Sequence, residues 1–381
     1  MSGPAAPPTI AVDARKIADY GIGTYVRGLL GALARLDGDS RYLLLAPAAG
    51  PELLPGLPAN FSWVEEDSPG YSLREQWSVG RKLARHRVDL FHSPHYVLPA
   101  RTPARVVVTI HDLIHLVHPE FLPHPLALLY ARFFLRRAVR RAATLLTVSA
   151  ATAKDLETRL GVDPRRIEVT WNGVDESFRR SLAPAELGKE LAELGLAPGY
   201  FLFLGNPKPH KNLERVVRAF ARAFPGPAND RRLVVAGGDD VSRDLARWSA
   251  ELGLGERLRK VGRLAPARLP ALVQGALTLV FPSLYEGFGL PVAEAMAIGT
   301  PVLASTTPAL VEIAGGAAEL VDPLDTDAIA AGMVRLATDP DRREALSRAG
   351  RLRAADFRWE RTAAKTLAVY RRALAGGNAG L

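Results

Sequence analysis

A chain of 381 residues, 48% of them hydrophobic, has material for about two to three domains, each with its own core. The absence of cysteine excludes a disulfide scaffold, a thiolate metal site and a cysteine nucleophile, and fits a reducing compartment. The formal charge of +9 suits nucleic acid, anionic lipid or a phosphorylated substrate, but an arginine-rich composition accounts for it equally, and with no nucleic-acid module or interleaved aromatic stripe nucleic acid is not expected as a partner.

The first eight residues, MSGPAAPP, lack the basic segment and apolar run of a secretory leader, and stretches such as LALLY before Ala131 are too short to span a bilayer. A cytoplasmic protein is expected. Short β-branched or aliphatic runs then alternate with helical patterns. They predict strands at Thr9–Asp13, Arg41–Ala46, Phe61–Glu65, Asp89–His92, Arg105–His111, Thr144–Ser149 and Ile167–Thr170. A second series falls at Tyr200–Gly205, Arg232–Gly237, Leu258–Val261, Leu277–Phe281, Pro301–Ala304 and Glu319–Val321. Such alternation implies an α/β protein with two doubly wound domains, each a parallel sheet covered on both faces. Turn residues Pro184, Gly195, Pro198 and Gly199 place the boundary between Asp175 and Tyr200, giving domains at 1–180 and 181–355 and a final helical segment at 356–381. Polar residues gather at the carboxyl ends of the strands, where open α/β sheets bind ligands. Two such edges facing each other would form an interdomain cleft.

After the first strand, Asp13 to Tyr25 is a loop with Gly21 and Gly23 that leads into a helix. Alone, this reads as a tight turn. His111 and Asp112 stand at the end of a later strand, where a hydrogen-bonded structural pair is the usual reading. His115, His118 and His124 follow without the spacing of a metal-ligand set, so no metal is expected. Between Leu126 and Ala143, apolar Leu128, Leu129, Phe133 and Phe134 lie beside Arg132, Arg136, Arg137, Arg140 and Arg141. Two readings stay open there: a helix lying on an anionic membrane, or a packed helix with a solvated basic face.

In the second half, Phe203–Leu213 follows a strand. Gly205 ends that strand and Lys211 can reach an anionic diphosphate, whereas Lys208 reads equally well as a solvated loop charge. The most informative segment is Pro282–Gly299. A buried strand ends at Phe281, a loop carries Gly287 and Gly289, Pro291 starts a helix and Gly299 stops it. Free N–H groups at that helix start suit a phosphate, and the glycines let backbone approach a ligand. Glu294, one turn into the helix, can accept from ribose hydroxyls, while Glu286 precedes the loop and addresses another part of the same ligand. An ordinary βα turn with a capping Glu explains less, because two carboxylates, two glycines and a proline converge.

This segment resembles the E-x7-E signature of retaining glycosyltransferases of family 4, with the GT-B fold of two Rossmann-like domains, and the resemblance covers nearly the whole chain. It implies that Glu286 contacts the transferred sugar, Glu294 the nucleotide ribose, and the backbone at Phe288, Gly289 and Leu290 the diphosphate, with Gly205, Asn206, Ser283 and Gly287 completing the donor site. It implies a cation pair at the leaving diphosphate. Lys211 matches its lysine; its arginine has no counterpart, and Lys208 or His210 would substitute. By the same resemblance Gly23 approaches the donor phosphate or the acceptor, and His111 the transferred sugar. The acceptor would bind the first domain and the nucleotide sugar the second. Trp171–Asp175 is similar to the family's hinge segment, and Phe357–Ala363 begins a helix that crosses back onto the first domain.

The combination of GIGTYVRGLL, HDLIHLVHPE and GNPKPHKN is most similar to bacterial mannosyltransferases of polysaccharide assembly. That implies GDP-mannose as donor, a glycan or lipid-linked acceptor, no cofactor and no metal, and a position at the inner face of the membrane. A UDP-sugar donor is the alternative, and a nucleotide-sugar epimerase of the same architecture is a further one, against which the E-x7-E segment argues.

Overall fold

The computed structural model describes residues 6–376 apart from Tyr71, Pro123, Pro227, Asp239 and Asp240; at Leu73 it describes the backbone alone. The first five residues of the segment inspected for a leader, and the last five of the 356–381 segment, lie outside the described residues.

The chain forms two compact units. One comprises the residues up to Gly173 together with those from Arg358 onward, and the other Val174–Phe357. The first holds β1 (Thr9–Asp13), β2 (Arg41–Ala46), β3 (Phe61–Glu65), β4 (Leu90–Ser93), β5 (Arg105–Ile110), β6 (Thr144–Thr147) and β7 (Ile167–Val169), in the order β3-β2-β1-β4-β5-β6-β7. The second holds β8 (Tyr200–Leu204), β9 (Leu233–Ala236), β10 (Leu258–Gly262), β11 (Ala276–Phe281), β12 (Val302–Ser305) and β13 (Glu319–Val321), in the order β10-β9-β8-β11-β12-β13. The pairings of the central strands are parallel: Ile10 stands between Tyr42 and Leu90, and Leu279 between Leu202 and Val302.

Burial on both faces explains the unbroken apolar runs. TIAVD of β1 and YFLFL of β8 are buried at every position. In the first unit Phe91, Val108 and Leu145 pack with Val79, Leu83 and Leu135 from flanking helices. In the second, Phe201, Phe203 and Val235 pack with Val216, Phe220, Ile329 and Met333. In each sheet the strand order reverses direction once, between β1 and β4 and between β8 and β11. A doubly wound sheet opens a crevice at such a switch point.

The division at Gly173 lies before the boundary expected at 180, and for a physical reason. The N–H of Val174 donates to the Phe357 carbonyl at 3.0 Å, Arg179 donates to the carbonyls of Ala354 and Phe357, and Phe178 is buried. These contacts bind 174–180 to the second unit. The helix Trp359–Ala375 belongs to the first unit although it follows the second in sequence. It packs on the helix Ile22–Leu36, and Trp359 lies so close to Gly28 and Gly173 that a Cβ at Gly28 would stand 2.1 Å from its indole and one at Gly173 2.3 Å from its backbone nitrogen.

Candidate functional site

In the second unit the loops after β8 and β11 meet at the switch point. The Leu284 N–H donates to the His210 carbonyl at 2.7 Å. Asn212 adopts the left-handed conformation, φ 64°, in which Asn is favoured among non-glycine residues. From there its buried Nδ2 donates to the carbonyls of Pro282 (3.0 Å) and Pro323 (2.7 Å). The loops are therefore clamped by backbone acceptors. On that frame the Lys211 Nζ and Glu286 Oε1 stand 2.5 Å apart with little of either side chain exposed, and the ammonium also lies 5.1 Å from the centre of the Phe281 ring. Sequence reading named both ends of this ion pair but not the pair. It also passed over Asn212, whose signal was an Asn directly after the lysine and before a helix.

The glycine loop meets the helix Leu290–Ile298 with Gly289 at its start, φ +96°, where a Cβ would stand 2.4 Å from Leu310 Cδ2. No side chain fits there. Pro291 is the second helical residue rather than the first, and Gly299 at φ 89° closes the helix. The first turn leaves the Leu290 N–H without a helical acceptor, as an anion site requires. Phe288 sends its ring away to pack edge-on against Phe357 at 5.4 Å, leaving its backbone to the loop. Ser283 is buried, its carbonyl accepts from Ser305 Oγ at 2.6 Å, and its own hydroxyl has no partner. Glu294 is half-buried, and burial followed by the Asp175 carboxylate pushes its carboxyl up to about 7.

Other named residues are placed differently. Gly205, at φ +148°, and exposed Asn206 begin the loop after β8. Lys208 is exposed and lines an outer groove with Arg215, Arg218 and Trp248, rather than joining Lys211. Gly23 is buried in the helix Ile22–Leu36, where a Cβ would lie 2.6 Å from the Ile17 carbonyl oxygen. Close approach of its own loop thus already requires the glycine.

In the first unit His111 lies one residue beyond β5. A backbone hydrogen bond to Pro94 holds its ring, Tyr25 packs edge-on at 4.9 Å, and Nε2 is buried without a partner. Burial, against the opposing pull of Asp112, lowers its pKa to about 4, so the ring is neutral near pH 7. Beside it runs a buried chain that sequence reading missed. Tyr370 Oη meets His92 Nδ1 at 2.6 Å, His92 Nε2 meets Thr109 Oγ1 at 2.8 Å, and Thr109 meets Tyr25 Oη at 2.9 Å. Asp13 is taken up by Arg15, which also reaches Glu75 at 2.7 Å. Among the described residues no group of three or more His, Asp or Glu side chains is arranged to hold a metal ion, and no helix is long and apolar enough to cross a membrane.

Comparison with known proteins bears on this arrangement. Residues 20–178 match the family model Glycosyltransferase Family 4, and residues 192–353 match Glycosyl transferases group 1. The O-antigen chain mannosyltransferase B of Escherichia coli is 31% identical over 301 residues, covering 78% of this chain and 77% of that protein. A D-inositol 3-phosphate glycosyltransferase of Salinispora tropica is 32% identical over 75% of this chain and 64% of its own length. Among solved structures, sucrose-phosphate synthase from Thermosynechococcus elongatus shares the fold with a TM-score of 0.78 at 22% identity, covering 96% of this chain and 98% of that one. Parallel sheets of the same order in both units, two family models in tandem and a relative matched over most of its length agree: the chain is a glycosyltransferase of family 4, with the GT-B fold.

Proposed function

We propose that the second unit holds the diphosphate of a nucleotide sugar between the loops after β8 and β11, and that the protein transfers mannose from GDP-mannose, with retention, to a glycan or lipid-linked acceptor in cell-surface polysaccharide synthesis. The observation that carries this reading is the 2.5 Å contact of Lys211 with Glu286 beside the glycine loop. A cation and a helix start directed at one place are what a leaving diphosphate needs, because stabilising its developing charge lowers the barrier. Glu286 would face the sugar and Glu294 the ribose. In a same-face substitution the leaving diphosphate takes the acceptor's proton as its bond to the sugar breaks, and Lys211 supplies the countercharge without a metal. His111 Nε2 would accept from a sugar hydroxyl. Mannose as the sugar is supported by the Escherichia coli relative. The inositol 3-phosphate glycosyltransferase, whose name does not specify mannose, keeps a second reading beside this one, with a UDP-sugar as the donor.

Thermal-shift measurement with GDP-mannose, GDP, UDP and UDP-glucose tests the donor. A ligand at about 100 times its Kd stabilises by about 2.7 kcal/mol. Stabilisation by GDP-mannose and GDP, followed by NMR of the product's anomeric configuration, is expected. No response to any nucleotide would place the function elsewhere.

A peripheral membrane contact belongs to the same proposal. The helix Pro125–Arg141 leaves Leu126, Leu129 and Phe133 more than half exposed, with Arg132, Arg136, Arg140 and Arg141 exposed beside them. Such a face suits an anionic bilayer.

A further inference from the structure

Tyr25 belongs to the helix Ile22–Leu36 and is fully buried. Its ring packs edge-on against His111, with centroids 4.9 Å apart and planes at 85°. A second edge-on contact, 6.1 Å at 70°, joins it to the Trp359 indole. Its hydroxyl meets Thr109 Oγ1 at 2.9 Å. Thr109 stands in β5, and His111 lies two residues further, just past the strand. Side chains two apart along a strand share a face, which lets one tyrosine meet both.

Both anchors of Tyr25 lead to the helix Trp359–Ala375. Trp359 opens that helix. Gly28, one turn after Tyr25 on the same face, admits the indole, since a Cβ there would stand 2.1 Å from it. The hydroxyl is tied through Thr109 to His92 Nε2, at 2.8 Å, and His92 Nδ1 meets Tyr370 Oη at 2.6 Å. Tyr25, His92, Thr109 and Tyr370 are all fully buried, so water does not compete for these bonds. At His111, the Pro94 carbonyl accepts from the ring; Nε2 has no partner, which leaves Nδ1 as the donor. That bond fixes one edge of the imidazole, and the Tyr25 ring fixes its plane.

We infer that Tyr25 is a positioning residue for His111: anchored through ring and hydroxyl by the helix Trp359–Ala375, it holds the imidazole plane so that Nε2 keeps one direction. The inference rests on the reading above in which Nε2 accepts from a sugar hydroxyl. A hydrogen bond weakens steeply as its angle departs from linearity, so the plane of the ring decides what Nε2 offers a substrate. The last helix of the chain thereby serves the site as well as the core.

The test uses the full chain and two readouts. Consumption of GDP-mannose and, in parallel, UDP-glucose is followed with water as acceptor in wild type, Tyr25→Phe, His111→Gln and the double variant. Tyr25→Phe keeps the ring and orphans no buried group, because Thr109 remains bonded to His92. It should lower kcat about tenfold at unchanged donor KM, as a misplaced group does. Once His111 is replaced it should lower kcat no further. An unchanged kcat in Tyr25→Phe, or losses that multiply in the double variant as a purely structural role requires, overturns the inference. The second readout needs no substrate: heteronuclear NMR spectra of the histidine rings. Wild type should show one His111 species, protonated at Nδ1. Tyr25→Phe should broaden its signals, and Tyr370→Phe should do so through His92 and Thr109. His111 signals unchanged in Tyr25→Phe overturn the inference whatever the kinetics. Consumption of neither donor by wild type overturns the nucleotide-sugar reading, and the ring spectra then decide the positioning alone.

Discussion

Lys211 and Glu286 neutralise each other at 2.5 Å, so neither can be changed without altering its partner. Glu286→Gln keeps size and removes charge. A contact that strengthens as the sugar gains positive character acts in the transition state, so kcat should fall, while Lys211, released from its ion pair, should hold the diphosphate at least as tightly and nucleotide Kd should not rise. Glu294→Gln should instead raise donor KM and nucleotide Kd together, since a charge-assisted hydrogen bond contributes about 1.5–3 kcal/mol. Steady-state kinetics and calorimetry on both variants decide; the opposite pattern would reverse the assignment. Lys211 as the diphosphate's countercharge also implies turnover in EDTA. Activity lost on chelation and restored by magnesium or manganese would refute that role. Sequence made these three residues legible because loop, glycines and carboxylates fall in compact runs. Asn212 was not legible as a site residue, because it acts through a left-handed backbone that no local run encodes.

Elements were more legible than their pairing. Each of the thirteen expected strands is present, because buried parallel strands need apolar runs; β1, β2, β3 and β13 have the expected bounds, and the ends of the other nine shift by one or two residues. β5 stops at Ile110, leaving His111 in the loop, and β8 stops at Leu204 because Gly205 leaves the strand conformation. The sheet order follows from long-range contacts that no local run encodes. The helix Pro125–Arg141 shows what burial adds to a charge pattern. Of its arginines, Arg137 points inward, donating to Gln76 and Pro99, so it cannot belong to a lipid-facing set. Replacing Arg132, Arg136, Arg140 and Arg141 with Gln should abolish sedimentation with anionic vesicles at low salt, since each charge contributes about 1 kcal/mol at such a surface. Equal sedimentation of variant and wild type would mean that the face is merely solvated. The helix Trp359–Ala375 offers a stability test. Tyr370→Phe leaves buried His92 Nδ1 without its partner and should cost the first unit about 1–3 kcal/mol in denaturant unfolding. An unchanged midpoint would show that the buried chain contributes nothing to stability.

At the scale of the molecule, the two units carry titrating groups of opposite consequence. Burial holds His92 and His95 down to about 3 and His111 to about 4, all in the first unit. Burial and Asp175 raise Glu294, in the second, to about 7. Between about pH 5 and 6.5 the unfolded first unit binds protons that its folded histidines refuse, so its stability falls as pH falls, by up to about 1.4 kcal/mol per pH unit for each histidine. Over the same window folded Glu294 holds a proton that its unfolded form has lost, so the second unit gains stability as pH falls. Lowered carboxylates such as Asp13 and Glu66 do not compete, because above their ordinary range they are ionised in both states. The summed effect favours acid weakening of the first unit, three histidines against one carboxyl. Two units need not melt together, so a single midpoint would conceal the difference. Hydrogen exchange, corrected for intrinsic rates and resolved by unit, should show β1, β4 and β5 losing protection from about pH 6.5 to about pH 5 while β8 and β11 hold or gain it. Replacing His92 with Gln should lessen the loss in the first unit, where His95 and His111 remain, and Glu294→Gln should remove the gain in the second. Parallel loss in both units, unaffected by either substitution, would mean that these buried groups do not govern the acid response.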